Sequence, residues 1–408
     1  MPNPNTNFKL SDGRDLGNVA ITKEYLMSVY PQIANQLITP ELWTWGANYS
    51  GQLGNNITSP RLIPVTTLAG GANWKQVAGG YKHTAAIKTD GTLWTWGRNY
   101  YGQLGDNTGD LLDPFFSVKL TPVTTFAGGT NWKQVACGRE HTAAIKTDGT
   151  LWTWGYNAFG GLGVGDNTGN NRTTPVTTFA GGTNWKQVSC GYNHTAAIKT
   201  DGTLWTWGGN SYGKLGDNTT TQRITPVTTF AGGTNWKQVV CGDSHTGAIK
   251  TDGTLWTWGR NDYGQLGDNT TTQRITPVTT FAGGTNWKQV VCGDSHTGAI
   301  KTDGTLWTWG GGLGDNTGIT RSTPVTTFAG GSNWKQVAGG SGHTAAIKTD
   351  GTLWTWGSNS FGGLGINIFG NSRSTPVTTF AGGTNWKQVV CGDYHTVAIR
   401  TSDDLQGI

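Results

Sequence analysis

The sequence predicts an all-β fold: a seven-bladed β-propeller closed by its N- and C-terminal strands in one blade, with a short N-terminal helical arm. Three recurrences predict it. Leu-Trp-Thr-Trp-Gly begins at Leu42, Leu93, Leu151, Leu204, Leu255, Leu306 and Leu353. Asn-Trp-Lys-Gln-Val surrounds Trp74, Trp132, Trp185, Trp236, Trp287, Trp334 and Trp386. A His-Thr-x-Ala-Ile motif holds His83, His141, His194, His245, His296, His343 and His395. Together they absorb all 21 Trp and all 7 His of the chain. A period of 47 to 58 residues is that of a solenoid or a propeller.

Turn chemistry separates those two. Each unit reads as a strand ending Lys-Gln-Val-x-Cys-Gly, a two-residue connection, and a strand starting at His. That second strand ends in Asp-Gly, a strong hairpin signal, as at Asp90-Gly91. Leu-Trp-Thr-Trp follows, with its two Trp on one face and Leu and Thr on the other. A loop then leads through Pro-Val, from Pro64 to Pro376, and Pro suits a strand start or an edge. Three or four antiparallel strands per unit and no helical period make a blade.

The chain ends supply closure. Leu42–Trp45 lacks a His strand before it, and His395–Arg400 lacks a Leu-Trp-Thr-Trp after it. Each end holds the half that the other lacks. Pairing 395–401 with 42–46 removes the open edges of a linear array. The expected organisation is an anchoring arm, 1–39, and a propeller, 40–408.

Composition excludes several classes. The 65 Gly without a three-residue period do not fit collagen, and 13% charged residues do not fit disorder. The formal charge of +5 includes no Lys or Arg run; basic residues recurring by repeat spread around a ring, so nucleic acid is not expected as a partner. No segment approaches the ~20 apolar residues of a membrane helix, so no membrane insertion is expected. The polar start lacks a signal peptide's charged and apolar regions, so export by that route is not expected.

The units resemble the repeats of the regulator of chromosome condensation family. The likeness rests on Trp258-Gly259-Arg260-Asn261-Asp262-Tyr263-Gly264-Gln265-Leu266-Gly267, then Pro277-Val278, then Cys292-Gly293-Asp294-Ser295-His296-Thr297. It covers about residues 42 to 401 and implies a seven-bladed propeller. The family includes a nucleotide exchange factor for a small GTPase, a plant UV-B photoreceptor and many modules of unknown role, so fold alone does not carry function. The photoreceptor's Gly-Trp-Arg-His-Thr motif is absent; the matching positions read Tyr81-Lys82, Arg139-Glu140 or Asp243-Ser244.

Repeated residues suit structure better than chemistry. One Trp buries ~150–250 Å², roughly 4–6 kcal/mol as an upper bound at ~25 cal/mol/Å². Most Trp therefore belong within or between blades. The seven His sit in seven different blades, whereas a metal needs three or four ligands at one point, so they read as core or hydrogen-bonding groups. Cys137, Cys190, Cys241, Cys292 and Cys391 take one equivalent position per blade, with Gly79 and Gly339 at the other two, and read as buried thiols without disulfides. The Gly-Asp-Asn-Thr acids, Asp106, Asp166, Asp217, Asp268 and Asp315, fit Asx turns better than a cation site. No Ser-His-Asp set is unique to one blade, so no enzyme, catalytic residue, metal or cofactor is expected.

Variation between copies marks the candidate surface. It gathers between Cys-Gly and His, after Trp-Gly, and before Pro, while the Asp-Gly turns hardly change. In an up-down meander the first two lie at the same strand ends, so one face of the disc is diverse. That face carries Tyr81, Lys82, Arg98, Tyr101, Arg139, Glu140, Tyr156, Phe159, Tyr192, Tyr212, Arg260, Tyr263, Phe361 and Tyr394, rich in interface-type Tyr and Arg. Tyr101, Phe159, Tyr212, Tyr263 and Phe361 share one position and equally suit lids on their own loops. The second repeat carries an apolar insertion, Asp110–Lys119, whose Leu111, Leu112, Phe115 and Phe116 are candidates for docking on a partner or for packing over their own blade. The sixth repeat shortens its loop to Gly310-Gly311-Gly312-Leu313-Gly314. Residues 215–259 and 266–310 are identical, as in proteins that present surfaces for binding.

Within the arm, residues 21–30 read as an amphipathic helix N-capped by Thr22 and interrupted at Pro31. Phe8, Tyr25, Leu26, Val29 and Tyr30 are its anchoring candidates. Its wording resembles the leaders of structural proteins in tailed phages of aquatic bacteria. That implies a non-enzymatic virion component (tail, baseplate or fibre) within a larger oligomeric assembly. Neighbouring virion subunits, a host surface component or a surface glycan would be its partners. The alternative is a soluble protein-binding adaptor or GTPase regulator of the bacterial cytoplasm.

Overall fold

The structure, a computed structural model, describes residues 40–68, 72–109, 117–166 and 168–401. They form seven four-stranded antiparallel sheets. In blade 1, Trp74–Gly79 is innermost, followed outwards by His83–Lys88, Leu93–Arg98 and Val118–Thr124. The same meander starts at Trp132, Trp185, Trp236, Trp287 and Trp334, giving blades 2 to 6. Of the three or four strands expected per unit, four form. Pro64 and its equivalents lie on the outermost strands, as in Arg61–Thr66, the edge position where a missing N–H costs no ladder bond. The arm, with Phe8, Tyr25, Leu26, Val29 and Tyr30, lies outside the described residues, as do Leu111, Leu112, Phe115 and Phe116.

The closing blade combines both ends. Its order from the outside is Arg61–Thr66, Pro40–Gly46, His395–Thr401, Trp386–Cys391. The predicted seam runs unbroken from Pro40 opposite Thr401 to Gly46 opposite His395. The two outer strands come from one end of the chain and the two inner strands from the other.

Blades pack Trp face against aliphatic face. Ala78, Ala85, Ile87 and Leu93 of blade 1 meet Trp132, Val135, Ala144 and Trp154 of blade 2. The closing blade's Leu42, Val397 and Ile399 meet blade 1's Trp74, Val77, Ala86 and Trp96 in the same way. Seven blades in a line would share six interfaces; this seventh one makes the ring. Two Trp per blade are buried. The remaining one is half-buried, standing edge-on to a buried Trp under a Lys, as in Trp152, 6.4 Å from Trp132 with Lys146 Nζ 4.6 Å above it; in the closing blade Arg400 takes the place of the Lys over Trp43. A cation over the ring face replaces the missing cover.

A polar circuit crosses the same interfaces. His141 Nε2 of blade 2 lies 2.9 Å from Thr195 Oγ1 of blade 3. That hydroxyl donates to Gly161 O of blade 2 at 2.8 Å, and the same carbonyl accepts the indole N–H of Trp207 of blade 3. Because the threonine's only proton goes to the carbonyl, His141 must donate from Nε2. The His–Thr pair recurs at all seven interfaces, closing with His395 on Thr84. Six interfaces also carry the shared carbonyl. The exception is blade 6, where Trp356 Nε1 has no partner. The shortened Gly310–Gly314 loop of blade 5 is the segment that would present the acceptor.

The Asp-Gly hairpins differ in detail from a two-residue turn. Gly91 N bonds to Lys88 O and Lys88 N to Thr92 O, leaving a three-residue loop of Thr89, Asp90 and Gly91, in which Gly91 (φ +82) takes the left-handed conformation while Asp90 does not. Asp90 instead accepts from the Thr92 N–H and hydroxyl, which hold its carboxyl below the usual range. A Cβ at Gly91 would lie 2.0 Å from Thr130 O of the incoming blade 2 segment, so the turn also seats the neighbouring blade.

Replacing Trp258 by Phe removes its bond to Lys214 O, whereas Trp356→Phe removes an orphaned donor. Urea midpoints should therefore show Trp258→Phe costing about 1 kcal/mol more than Trp356→Phe; equal losses would refute the circuit. Burial holds His83, His245 and His395 at about 3 and His141, His296 and His343 at about 4, against an ordinary 6.5. The unfolded chain thus binds protons that the folded ring refuses. Their stabilising contribution is complete above pH 6.5 and falls towards pH 4 by about 1.4 kcal/mol per pH unit for each imidazole. His141→Gln should be less stable than wild type at pH 7.5 but lose less on acidification, measured by urea midpoints from pH 7.5 to 4.5.

Candidate functional site

The variable residues follow from the meander. Every Gly-x-x-His connection and every loop after Trp-Gly emerges on one face, at the opposite strand ends from the Asp-Gly turns. The first residue after Cys-Gly or Gly-Gly stands nearest the axis, because it leaves the innermost strand. Around the ring those seven residues are Tyr81, Arg139, Tyr192, Asp243, Asp294, Ser341 and Asp393. All seven, with Arg260, Ser244 and Tyr394, line a cavity of about 260 Å³ at the channel mouth.

The mouth is divided by charge. Blades 1 to 3 supply Tyr81, Arg139 and Tyr192, with the Arg139 guanidinium 4.5 Å from the first ring and 4.0 Å from the second. Blades 4 and 5 and the closing blade supply the three half-buried Asp. Burial, with repulsion from Asp294, raises Asp243 to about 6, and burial with the other mouth acids raises Asp393 well above the usual range. These carboxylates lack a cation of their own at close range: among the described residues none of the three forms an ion pair. Nearby, burial pushes the Lys214 ammonium down to about 8, and it donates to Asn193 Oδ1.

The other expected residues surround this mouth. Lys82 Nζ lies 4.8 Å from the Tyr81 ring. Tyr394 contacts Tyr81 at 5.9 Å and Phe361 at 5.0 Å, and Phe361 contacts Tyr49. Tyr156 joins Tyr101 at 4.6 Å and Phe159 at 6.1 Å. Arg260 lies over both Tyr212 and Tyr263, each 5.5 Å away. Thus the shared-position aromatics do not cap their own loops alone; Tyr101, Tyr212 and Phe361 each meet a side chain from the next blade. Glu140 is the outlier. It is buried, held by Arg98 at 2.7 Å and by Gln103, and burial outweighs Arg98 to raise it to about 7. It is a buried link from blade 2 to blade 1 and does not line the mouth cavity.

Reading by residue type missed Asp243, Asp294 and Asp393, because Asp is otherwise a repeated turn residue here. Their position, shared with Tyr81 and Arg139, was the available signal. It also missed one exposed apolar residue per blade at the foot of each outer strand, such as Phe126 and Phe179 (66% and 71% exposed). The string Gly209-Asn210-Ser211-Tyr212-Gly213 has the spacing of a nucleophile elbow. It forms a short 3-10 turn in a repeat loop, not the strand-to-helix turn that an elbow needs.

The loop acids and the thiols serve structure. In the Gly-Asp-Asn-Thr loops, Asp217 accepts from Thr219, Asn210 and Arg223, as an Asx turn closed by a guanidinium. Below the mouth, the five Cys line the channel and are free; burial pushes Cys137, Cys241 and Cys391 up to about 12. Cys137 donates to Ala78 O of the preceding blade. Among the described residues, no group of three or more His, Cys, Asp or Glu is placed to hold a metal ion, and no helix is long and apolar enough to cross a membrane.

A model of the RCC1-like domain matches residues 170–407, and models of the regulator of chromosome condensation (RCC1) repeat match 41–87 and 90–145. The chain belongs to the RCC1-like family. It is 35% identical over 276 residues to the ultraviolet-B receptor UVR8 of Arabidopsis thaliana, covering 67% of this chain and 61% of the receptor. It is 33% identical over 273 residues to the E3 ubiquitin-protein ligase HERC2 of Homo sapiens, covering 64% of this chain but 5% of the ligase. Prp20p of Saccharomyces cerevisiae, described with its binding properties to Gsp1p and histones, superposes with a TM-score of 0.77 at 20% identity, over 94% of this chain and 96% of that one. At that identity the likeness concerns fold alone. None of these matches supports the tailed-phage resemblance of the leader.

Glu140 provides a test of the site's electrostatics. A carboxylate raised to about 7 keeps its proton folded while the unfolded chain loses it, so wild type forfeits stability as pH rises from about 4.5 to 7, opposite in sign to the histidines. Glu140→Gln should therefore gain on wild type by on the order of 2 kcal/mol between pH 5 and pH 8, read from urea midpoints at both values.

Proposed function

We propose that this RCC1-like propeller is a non-enzymatic protein-binding adaptor or regulator that grips its partner at the divided channel mouth. The observation that carries the proposal is the pairing of a basic, aromatic arc, Tyr81–Arg139–Tyr192, with an acidic arc, Asp243–Asp294–Asp393, around one cavity. A partner loop offering a carboxylate to Arg139 and a Lys or Arg to the three Asp would satisfy both. The desolvated acids gain most from such a cation, because it returns them to their charged form. The aromatic rim adds rigid contact area of the kind that dominates hot spots.

The relatives favour this reading over a virion component bound to neighbouring subunits, a host surface or a glycan. Prp20p is described with its binding properties to Gsp1p and histones, which supports protein partners and a place inside the cell for this chain. A GTPase-regulating role is the second reading and rests on the same likeness. The ligase activity named for HERC2 is not carried over, since the shared segment is a twentieth of that protein.

The test is affinity capture from the source cells with wild type and with Arg139→Ala/Asp243→Asn/Asp393→Asn, followed by titration of each captured protein. A partner whose affinity falls at least tenfold (about 1.4 kcal/mol) in the variant supports the proposal. Partners held equally by both proteins would sink it. Stimulated release of labelled GDP from a captured GTPase, lost in the same variant, would select the second reading.

A further inference from the structure

We propose that the uniform face carries a second site, for a compact phosphate-dense anion, seated on a ring of lysines at the other mouth of the channel. The Lys of every Asn-Trp-Lys-Gln-Val motif follows a buried Trp at the start of the innermost strand, and in all seven blades it is exposed. The innermost strands surround the channel, so their first residues gather at its rim. Lys75, Lys288, Lys335 and Lys387 line one cavity of about 590 Å³, together with Gln289, Gln336 and Gln388; Lys133, Lys186 and Lys237 hold the equivalent positions in blades 2 to 4. Such a volume lies within the ~300–1,000 Å³ of small-ligand sites.

Charge balance singles out this ring. The outer basic set on the same face has partners of its own: Lys146 lies over Trp132 and Trp152 and helps to hold the Asp148 carboxyl below its usual range. Among the described residues, no carboxylate lines the inner cavity and none of the seven inner lysines forms an ion pair. Seven like charges converging on one opening repel each other and focus a positive potential there. Only the charge spread by repeats had been expected; the inner set converges instead.

The backbone under the ring is rigid. Gln289 Nε2 donates to Val337 O and Gln289 Oε1 accepts from Val337 N, locking neighbouring blades directly beside the lysines. The ring therefore presents seven lysine stems from a fixed circle of backbone. A linear polyanion crossing a circle meets few of them at once, whereas a molecule bearing several phosphates around a small centre meets many. Lys, as a flexible point charge, suits phosphates at varied angles.

The experiment is calorimetric titration and thermal unfolding of the full chain with inositol hexakisphosphate at about 150 mM salt, where the Debye length is about 8 Å. Saturable binding with a raised melting temperature is expected. It should weaken at least tenfold in Lys288→Ala/Lys335→Ala/Lys387→Ala, persist in the corresponding triple Arg variant, and be unaffected by Arg139→Ala at the opposite mouth. Without ligand, the Ala variant should melt no lower than wild type, since repulsion is relieved, which separates lost binding from lost folding. The proposal is overturned if the hexakisphosphate neither binds nor stabilises, if the Ala variant binds as wild type does, if inorganic phosphate at equal phosphate concentration stabilises as much, or if a DNA duplex binds more tightly.

Discussion

The structure depends on one buried circuit, complete at six of the seven interfaces between blades and reduced to its His–Thr pair at the seventh. A histidine of one blade donates to a threonine of the next, that threonine donates to a loop carbonyl of the first blade, and a Trp indole of the second blade donates to the same carbonyl. Each group sits in a Trp-lined, water-excluded seam, where an unmet polar atom costs more than a met one contributes. The bonds run between blades, so they fix the angle at which one sheet meets the next. Seven equal angles must close a circle, and the closing blade accepts no other number. This is the physical reason that the His, Thr and Trp hardly change from repeat to repeat.

Blade 5 shows how much departure the ring bears. Shortening its loop to Gly310–Gly314 leaves Trp356 without an acceptor, yet His296 still reaches Thr344 and the aliphatic packing against Trp334 and Trp356 remains. Hydrophobic burial outweighs one lost hydrogen bond. The loops are thus free to vary where the circuit spares them. The mouth residues belong to this free set. They leave the innermost strands beside the histidines and hydrogen-bond to the next blade through the backbone N–H, as from Arg139 to Gly191 O and from Asp243 to Gly293 O; their side chains stand outside the buried circuit, so Tyr81, Arg139 and Asp243 occupy equivalent places with different chemistry. The opposite mouth shows the converse, with identical lysines imposed by a repeat whose neighbouring Trp and Gln are structural.

This division explains how RCC1-like chains share a scaffold without sharing a task. The ring demands specific residues at the seams and almost nothing at the two mouths. In this chain, the segment identical between residues 215–259 and 266–310 includes seams and loops alike. Its mouth position still acquires distinct surroundings, because Asp243 and Asp294 face different parts of the ring.

Much of the fold was legible in the sequence. The complementary ends located the closing blade to within a residue or two, because strand pairing requires matched halves. Captured Trp and His marked the seams, since rare residues at a fixed period signal repeated packing. Asp-Gly marked the hairpins, though not their three-residue loops. Residue type and position also placed Tyr81, Arg139, Tyr192 and Tyr394 on one face. What only the tertiary structure decided was which of them meet. Asp243, Asp294 and Asp393 lie 51 and 99 positions apart along the chain yet line one cavity with Arg139, and Lys75 shares another with Lys387. A one-dimensional period reveals each blade's contents, but closing the circle converts equal spacing along the chain into convergence on an axis, and electrostatics depends on that convergence.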